Sequence, residues 1–200
     1  MDETGNHQPD APKQKEEPDI EISVATPEDE RAIWDVQYRS SLAFLPDAEK
    51  GISEDDVKSW YSDFADDGSL TVAGDKKLAD EIKRLKENPP TDSRAFVAKA
   101  EGKTVGFCTV KRELDQNRLV GIYLLPGLRG KGLGERLWNE GQKFLDETKD
   151  TKVALFEHNK IAEKFYTRLG FERTEGSRPG AKTKSGVETQ VIEMILKRNK

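Results

Sequence analysis

Between the apolar stretch IYLLP and the amphipathic stretch ERLWNE, the six residues Arg129 to Gly134 contain three glycines and two cations. A glycine inside a helix costs roughly 0.5–1 kcal/mol relative to alanine, so Gly130, Gly132 and Gly134 oppose helix formation unless the backbone must stay bare. The start of a helix presents unpaired N–H groups and a partial positive charge, and it therefore suits a phosphate. Bare glycines let phosphate oxygens approach, and Arg129 and Lys131 add full charges. The segment Gly130-Lys131-Gly132-Leu133-Gly134 accordingly reads as a pyrophosphate cradle. The alternative is a glycine-rich turn carrying two solvated cations. It is not a P-loop, because no GxxxxGK followed by Ser or Thr occurs. It is not a dinucleotide fingerprint either, because the glycines are spaced GxGxG rather than GxGxxG.

A cradle of this kind needs a strand before it and a helix after it, and the hydrophobic periodicity supplies both. Arg118 to Leu125 (RLVGIYLL) is too apolar for an exposed edge, and the helix after the glycines, running to about residue 148, has Leu133, Leu137, Trp138 and Phe144 inward. Upstream, IEISVA alternates as a strand. Thr26 followed by Pro27 and two acids starts a helix to about residue 43, and Ser53 caps a second to about residue 65. The stretch DKKLADEIKRLKENPP makes a third, with Leu78, Ile82 and Leu85 on one face. From Arg94 the period is two, and AFVAKAEGKTVGFCTVKREL predicts a hairpin turning at Glu101 and Gly102. Downstream come a strand (KVALFE), a short helix from Asn159 to Leu169, a strand opening at Gly170, a polar loop (EGSRPGAKTKSG) and a last strand (TQVIEMIL). The class is α+β, a mixed α/β arrangement.

With 200 residues, 34% hydrophobic and 36% charged, the chain suffices for one domain with a real core. Residues 1–19 are rich in Pro, Asp, Glu, Lys and Gln and read as a disordered polar tail, leaving residues 20–200 as the domain. No apolar run approaches a membrane span and the N-terminus is polar, so the expectation is a soluble cytoplasmic protein with neither membrane nor nucleic acid as partner. One cysteine, Cys108, and two histidines, His7 and His158, give no expectation of a metal site. The charge balance is −4 over residues 1–20, −9 over 21–70 and +8 over 71–200. Two surfaces of opposite sign, or simply solvated helix faces, would both produce it.

The glycine segment resembles the coenzyme A signature of the GNAT acyltransferase superfamily: Gln or Arg, two residues, Gly, one residue, then Gly or Ala. Arg129, Gly132 and Gly134 meet it. A second segment, NKIAEKFYTRLGF, is similar to that family's downstream helix, with Asn159, Ala162, Phe165, Tyr166, Gly170 and Phe171 in the matching places. The resemblance covers roughly residues 20–198. It implies a mostly antiparallel twisted sheet of about six to seven strands flanked by helices, with the fourth and fifth strands splayed.

By that resemblance acetyl-CoA is the cosubstrate and no metal is needed. Ile122, Tyr123 and Leu124 would pair through their backbone with the pantetheine arm. Arg129 and the N–H groups of Gly130 to Gly134 would hold the pyrophosphate. Asn159 would reach the pantetheine while also serving as an N-cap, a role worth about 1 kcal/mol. Tyr166 occupies the place of the phenol that protonates the departing sulfur, although a Tyr on an amphipathic helix is often only packing. Many relatives carry a Glu base where this chain has Arg118. Glu113, Glu157 and His158 are nearby substitutes, and a water relay or an amine that arrives neutral would need none of them.

The resulting expectation is an N-acetyltransferase acting on a primary amine. The acidic first half suggests a polyamine or another small cationic amine. Acetylation of a protein or peptide, or a coenzyme A-binding regulatory module without catalysis, would fit the same motifs, and a second copy of the chain is allowed as a partner.

Overall fold

The computed structural model describes residues 19–198. Apart from Asp19, the tail expected over residues 1–19 lies outside the described residues. Strand β1 (Ile20–Val24) leads through a short 3-10 turn into α1 (Glu30–Phe44). Two further helices follow, α2 (Glu54–Ser59) and α3 (Val72–Glu87). The expected hairpin forms as β2 (Ser93–Ala100) and β3 (Lys103–Arg112). Its two turn residues, Glu101 at φ 50° and Gly102 at φ 75°, both take the left-handed conformation that a two-residue hairpin requires. Then come β4 (Asn117–Leu124), α4 (Leu133–Gln142), β5 (Thr151–Phe156), α5 (Lys160–Arg168), β6 (Glu172–Arg173), β7 (Arg178–Lys182) and β8 (Glu188–Leu196).

All eight strands join one sheet in the order β1-β2-β3-β4-β5-β8-β6, and β7 also pairs with β8. Every pairing is antiparallel except β4 with β5. Strand alternation sorts the apolar side chains onto two faces. Phe96, Ala98, Cys108, Val110 and Leu119 pack with Leu133, Leu137 and Trp138 of α4 and with Tyr166 of α5. Val97 and Phe107 face the other way, against Ile33 and Val36 of α1. Gly141 lets α4 approach β3 closely, since a Cβ there would stand 3.0 Å from the Cys108 sulfur.

Four elements differ from the sequence reading. Helix α2 ends at Ser59 rather than near residue 65. Its following aromatics are claimed by separate partners: Trp60 lies 5.3 Å from Phe156 and donates to the Lys182 carbonyl at 2.8 Å, while Phe64 stacks on Tyr38 at 4.2 Å. Helix α3 begins earlier, at Val72, because the Thr71 hydroxyl accepts the Gly74 N–H at 3.0 Å. Helix α4 stops at Gln142 rather than near residue 148. The Asn117 side chain takes both the Asp146 carbonyl (2.7 Å) and the Asp146 N–H (3.1 Å), holding that loop out of the helix. The polar segment after Thr174 contains β7, an edge strand whose Arg, Pro, Gly and Lys residues carry no apolar alternation.

Candidate active site

Strands β4 and β5 are paired only from Asn117 to Leu119, opposite Thr151 to Val153, and separate beyond that point. On the β3 side the register also breaks there. Thr109 faces Gly121 and Val110 faces Leu119, so Val120 is an extra residue, a β-bulge. A bulge bends its strand, and the bend carries β4 away from β5. Ile122, Tyr123 and Leu124 remain paired with Cys108, Phe107 and Gly106 on one side. Their other edge faces the gap, where alternate backbone groups are available to an extended ligand. The side chains serve the core: Ile122 and Leu124 join the α4 face and Tyr123 stacks on Phe107 at 5.1 Å.

Two adjoining cavities occupy the gap. The inner one, 290 Å³, runs from the C-terminal half of α1 across Val120 and Gly121 to β5 and β7. The outer one, 680 Å³, lies between the glycine loop and the exposed flank of α5. Ile122, Arg129, Ala162 and Tyr166 border both.

At the outer cavity the glycine loop runs into α4. Gly130 and Gly132 have φ of 79° and 75°, the left-handed region that glycine occupies freely, and a Cβ on either would meet only open space. Gly132 is the N-cap of α4, and Leu133 and Gly134 begin its first turn, whose N–H groups have no helical acceptor. Gly134 serves packing as well, for a Cβ there would come 3.1 Å from the Phe165 ring. Lys131 is exposed.

Arg129 borders the outer cavity beside this loop as well as the inner one. Its guanidinium turns inward to 3.0 Å from the centre of the Phe44 ring, and its Nη1 is buried without a hydrogen-bond partner. Burial lowers its pKa to about 10, so it stays charged at neutral pH.

Tyr166 is buried where the cavities meet, with ring contacts to Phe165 and Phe171. Burial pushes its phenol pKa upward, with Tyr123 and Cys108 acting in the same sense and the Ile122 backbone and Arg129 against it. The phenol is therefore held protonated at neutral pH. Asn159 caps α5, its Oδ1 accepting the Ala162 N–H at 3.1 Å, and it borders the inner cavity.

The three substitute bases stand elsewhere. Glu113 pairs with Arg118, and Glu157 with Arg173. Each pairing holds the carboxyl below its ordinary pKa. The His158 ring lies against the Leu45 carbonyl at 3.1 Å and stacks on Phe156, and burial lowers its pKa. None of Glu113, Arg118, Glu157 and His158 lines either cavity. Residues missed from sequence complete the inner wall: Ser40, Phe44, Arg178 and the Ser41–Tyr61 hydroxyl pair at 2.6 Å. Tyr61 had the spacing of an ordinary apolar helix face, and Arg178 sat in a segment without strand periodicity.

This sheet, split between its fourth and fifth strands beside a glycine-rich helix start, has the arrangement of the GNAT fold. Residues 91–173, from the edge of β2 through β6, match the acetyltransferase (GNAT) domain family. No curated protein matches the chain in sequence. Among solved structures it is similar to PaiA N-acetyltransferase from Thermoplasma acidophilum in complex with coenzyme A. Identity there is 22%, coverage is 88% of this chain and 98% of that one, and the TM-score is 0.62. It is also similar to the ribosomal-protein-S18-alanine N-acetyltransferase of Escherichia coli (19%; 90% and 95%; 0.58). YncA of Salmonella typhimurium, solved with its cofactor acetyl-CoA, is a third (19%; 91% and 95%; 0.59). Among the described residues, no helix is long and apolar enough to cross a membrane, and no cluster of three or more His, Cys, Asp or Glu is arranged to hold a metal.

Proposed function

We propose that the protein transfers an acetyl group from acetyl-CoA to a small primary amine in the gap between β4 and β5. The observation that carries this reading is the bulge at Val120, which frees one edge of β4 beside both the glycine cradle and the buried Tyr166 phenol. The residues present suit acetyl-CoA. The first turn of α4 offers unpaired N–H groups, the glycines leave open space, and the freed edge from Ile122 to Leu124 can pair with an amide-containing arm. Coenzymes A of this acylated kind supply an activated thioester carbonyl.

The chain's own contribution is positioning and proton handling. Ile122, Tyr123 and Leu124 would align the arm so that its sulfur end points at Tyr166. Holding amine and carbonyl together in this way removes much of the entropic barrier. As the amide bond forms and the C–S bond breaks, the amine loses one proton and the sulfur gains one; Tyr166 donates the latter and recovers it from solvent. The inner cavity receives the acceptor. Among the described residues its lining contains no Asp or Glu, so the lost proton goes to water.

The described lining of the inner cavity carries no carboxylate to draw a polyamine, and three acids of residues 21–70 are engaged with other groups: Asp29 with Lys99, Asp56 with Ser53 and the Lys184 N–H, and Asp63 with Lys77. The test is acetyl-CoA-dependent release of free thiol by the purified protein across a panel of primary amines. Acetylated product should appear with at least one of them, and hydrolysis alone at every amine would refute the reading.

A further inference from the structure

Charge in the inner cavity has one sign. Among the described residues its only charged lining residues are Arg129 and Arg178; the rest are hydroxyl-bearing (Ser40, Ser41 and the tyrosines), an amide, or apolar. Arg178 opens β7, facing Val191 of β8, and its exposed guanidinium makes no ion pair or hydrogen bond with the described residues. The acids that could have neutralised this flank are taken: Glu157 and Glu163 by Arg173, and Glu188 by Lys182. Deeper in, the buried Nη1 of Arg129 also lacks an acceptor. Unpaired cations around a partly enclosed cavity attract an anion and repel a polycation.

Resting on the acetyl-transfer reading, we propose that the acceptor is a primary amine that also carries a carboxylate, and that Arg178 is the residue that anchors this group. Arg129, beside Tyr166 and bordering both cavities, is nearer the donor side. Arg178 borders only the acceptor side, and its planar fork suits bidentate binding of a carboxylate. Phe44, Leu45, Phe156 and Val191 wall the space between with apolar surface, which suits an apolar body joining amine to carboxylate. The same field favours catalysis. Two cations and no carboxylate disfavour the ammonium form of the bound amine, so the nucleophile is held neutral without a protein base. The anchored carboxylate offsets the repulsion that would otherwise exclude any amine arriving as a cation.

The experiment pairs thiol-release kinetics with calorimetry on the full chain, wild type and Arg178→Gln. The probes are 4-(aminomethyl)benzoate and L-phenylalanine, each beside its neutral amide, with spermidine as the polycation. In the wild type, kcat/KM for the carboxylates should exceed that for the amides by about 10–100-fold, the worth of a charge-assisted contact. Arg178→Gln should erase that difference through KM, with acetyl-CoA affinity unaltered, and Arg178→Lys should restore part of it. Equal use of carboxylate and amide by the wild type, or preference for spermidine, would overturn the proposal while leaving acetyl transfer intact. If no amine is acetylated, the acetyl-transfer reading fails and calorimetry decides this one separately. Binding of 4-(aminomethyl)benzoate to the wild type but not to Arg178→Gln supports the anion site, and equal binding or none to both refutes it.

Discussion

Arg118 Nε donates to Glu113 Oε1 over 2.7 Å, at the root of β4 where that strand is still paired with β5. The position that would have held a base is thus an arginine, and the nearest carboxylate is bound to it. Glu113→Gln and Glu157→Gln should each keep kcat/KM within a few-fold, because removal of a true general base typically costs about 10²–10⁴-fold. A loss of that size in either variant would identify the base.

The same absence fixes the pH profile. With no protein base, log kcat/KM should rise with pH and level off at the pKa of the acceptor amine, and the break should move when the amine is changed. Because the Tyr166 pKa is raised above its ordinary value of 10.0, the phenol stays protonated and no descending limb should appear below pH 10. A break at one pH for all amines would mean that a protein group titrates instead.

Tyr166→Phe removes the proton donor and keeps the ring that packs against Phe165 and Phe171. Acetyl-CoA affinity should be nearly unchanged, while kcat falls by about 10²–10⁴-fold with little change in KM. The deficit should shrink with an acyl donor whose leaving group is a weaker base. Retention of nearly full kcat with acetyl-CoA would make Tyr166 a packing residue.

Gly132→Glu puts an anion and a side chain at the N-cap of α4, and at φ 75° any non-glycine residue is also strained, by about 1–2 kcal/mol. The variant should remain folded and bind no acetyl-CoA. Gly132→Ala should bind with only modest loss, since its methyl meets open space. Calorimetry on both separates electrostatic exclusion from backbone strain.

The root of the gap is held by Asn117, fully buried, whose side chain serves the Asp146 N–H and the Asp146 and Lys149 carbonyls. Asn117→Ala leaves these groups unpaired in the interior and should cost at least about 1–3 kcal/mol in chemical denaturation. Opposite it, the Thr151 hydroxyl is buried without a partner. Thr151→Val, nearly the same shape, should leave stability unchanged or raise it; a clear fall would mean the hydroxyl is hydrogen-bonded through water.

Much of this was legible in the sequence because local rules and tertiary demand agreed. The hairpin turn at Glu101 and Gly102, the Asn159 cap and the glycine loop each have a short-range cause. What sequence reading missed depends on distant partners. Nothing near Val120 announces a bulge, since the extra residue is defined only by its register with β3. Trp60, Tyr61 and Phe64 have helical spacing yet are drawn to Phe156 and Tyr38. The charge balance of residues 21–70 is a count, and a count carries no information about which carboxylates face the cavity.

Mass spectrometry of an amine panel incubated with acetyl-CoA and either wild-type protein or Tyr166→Phe, with free thiol measured in parallel, tests acetyl transfer through Tyr166. The expected result is acetylated amine and thiol in equal amounts with the wild type, both falling together by about 10²–10⁴-fold in the variant. Thiol release without acetylated amine, or equal product from both proteins, would contradict it.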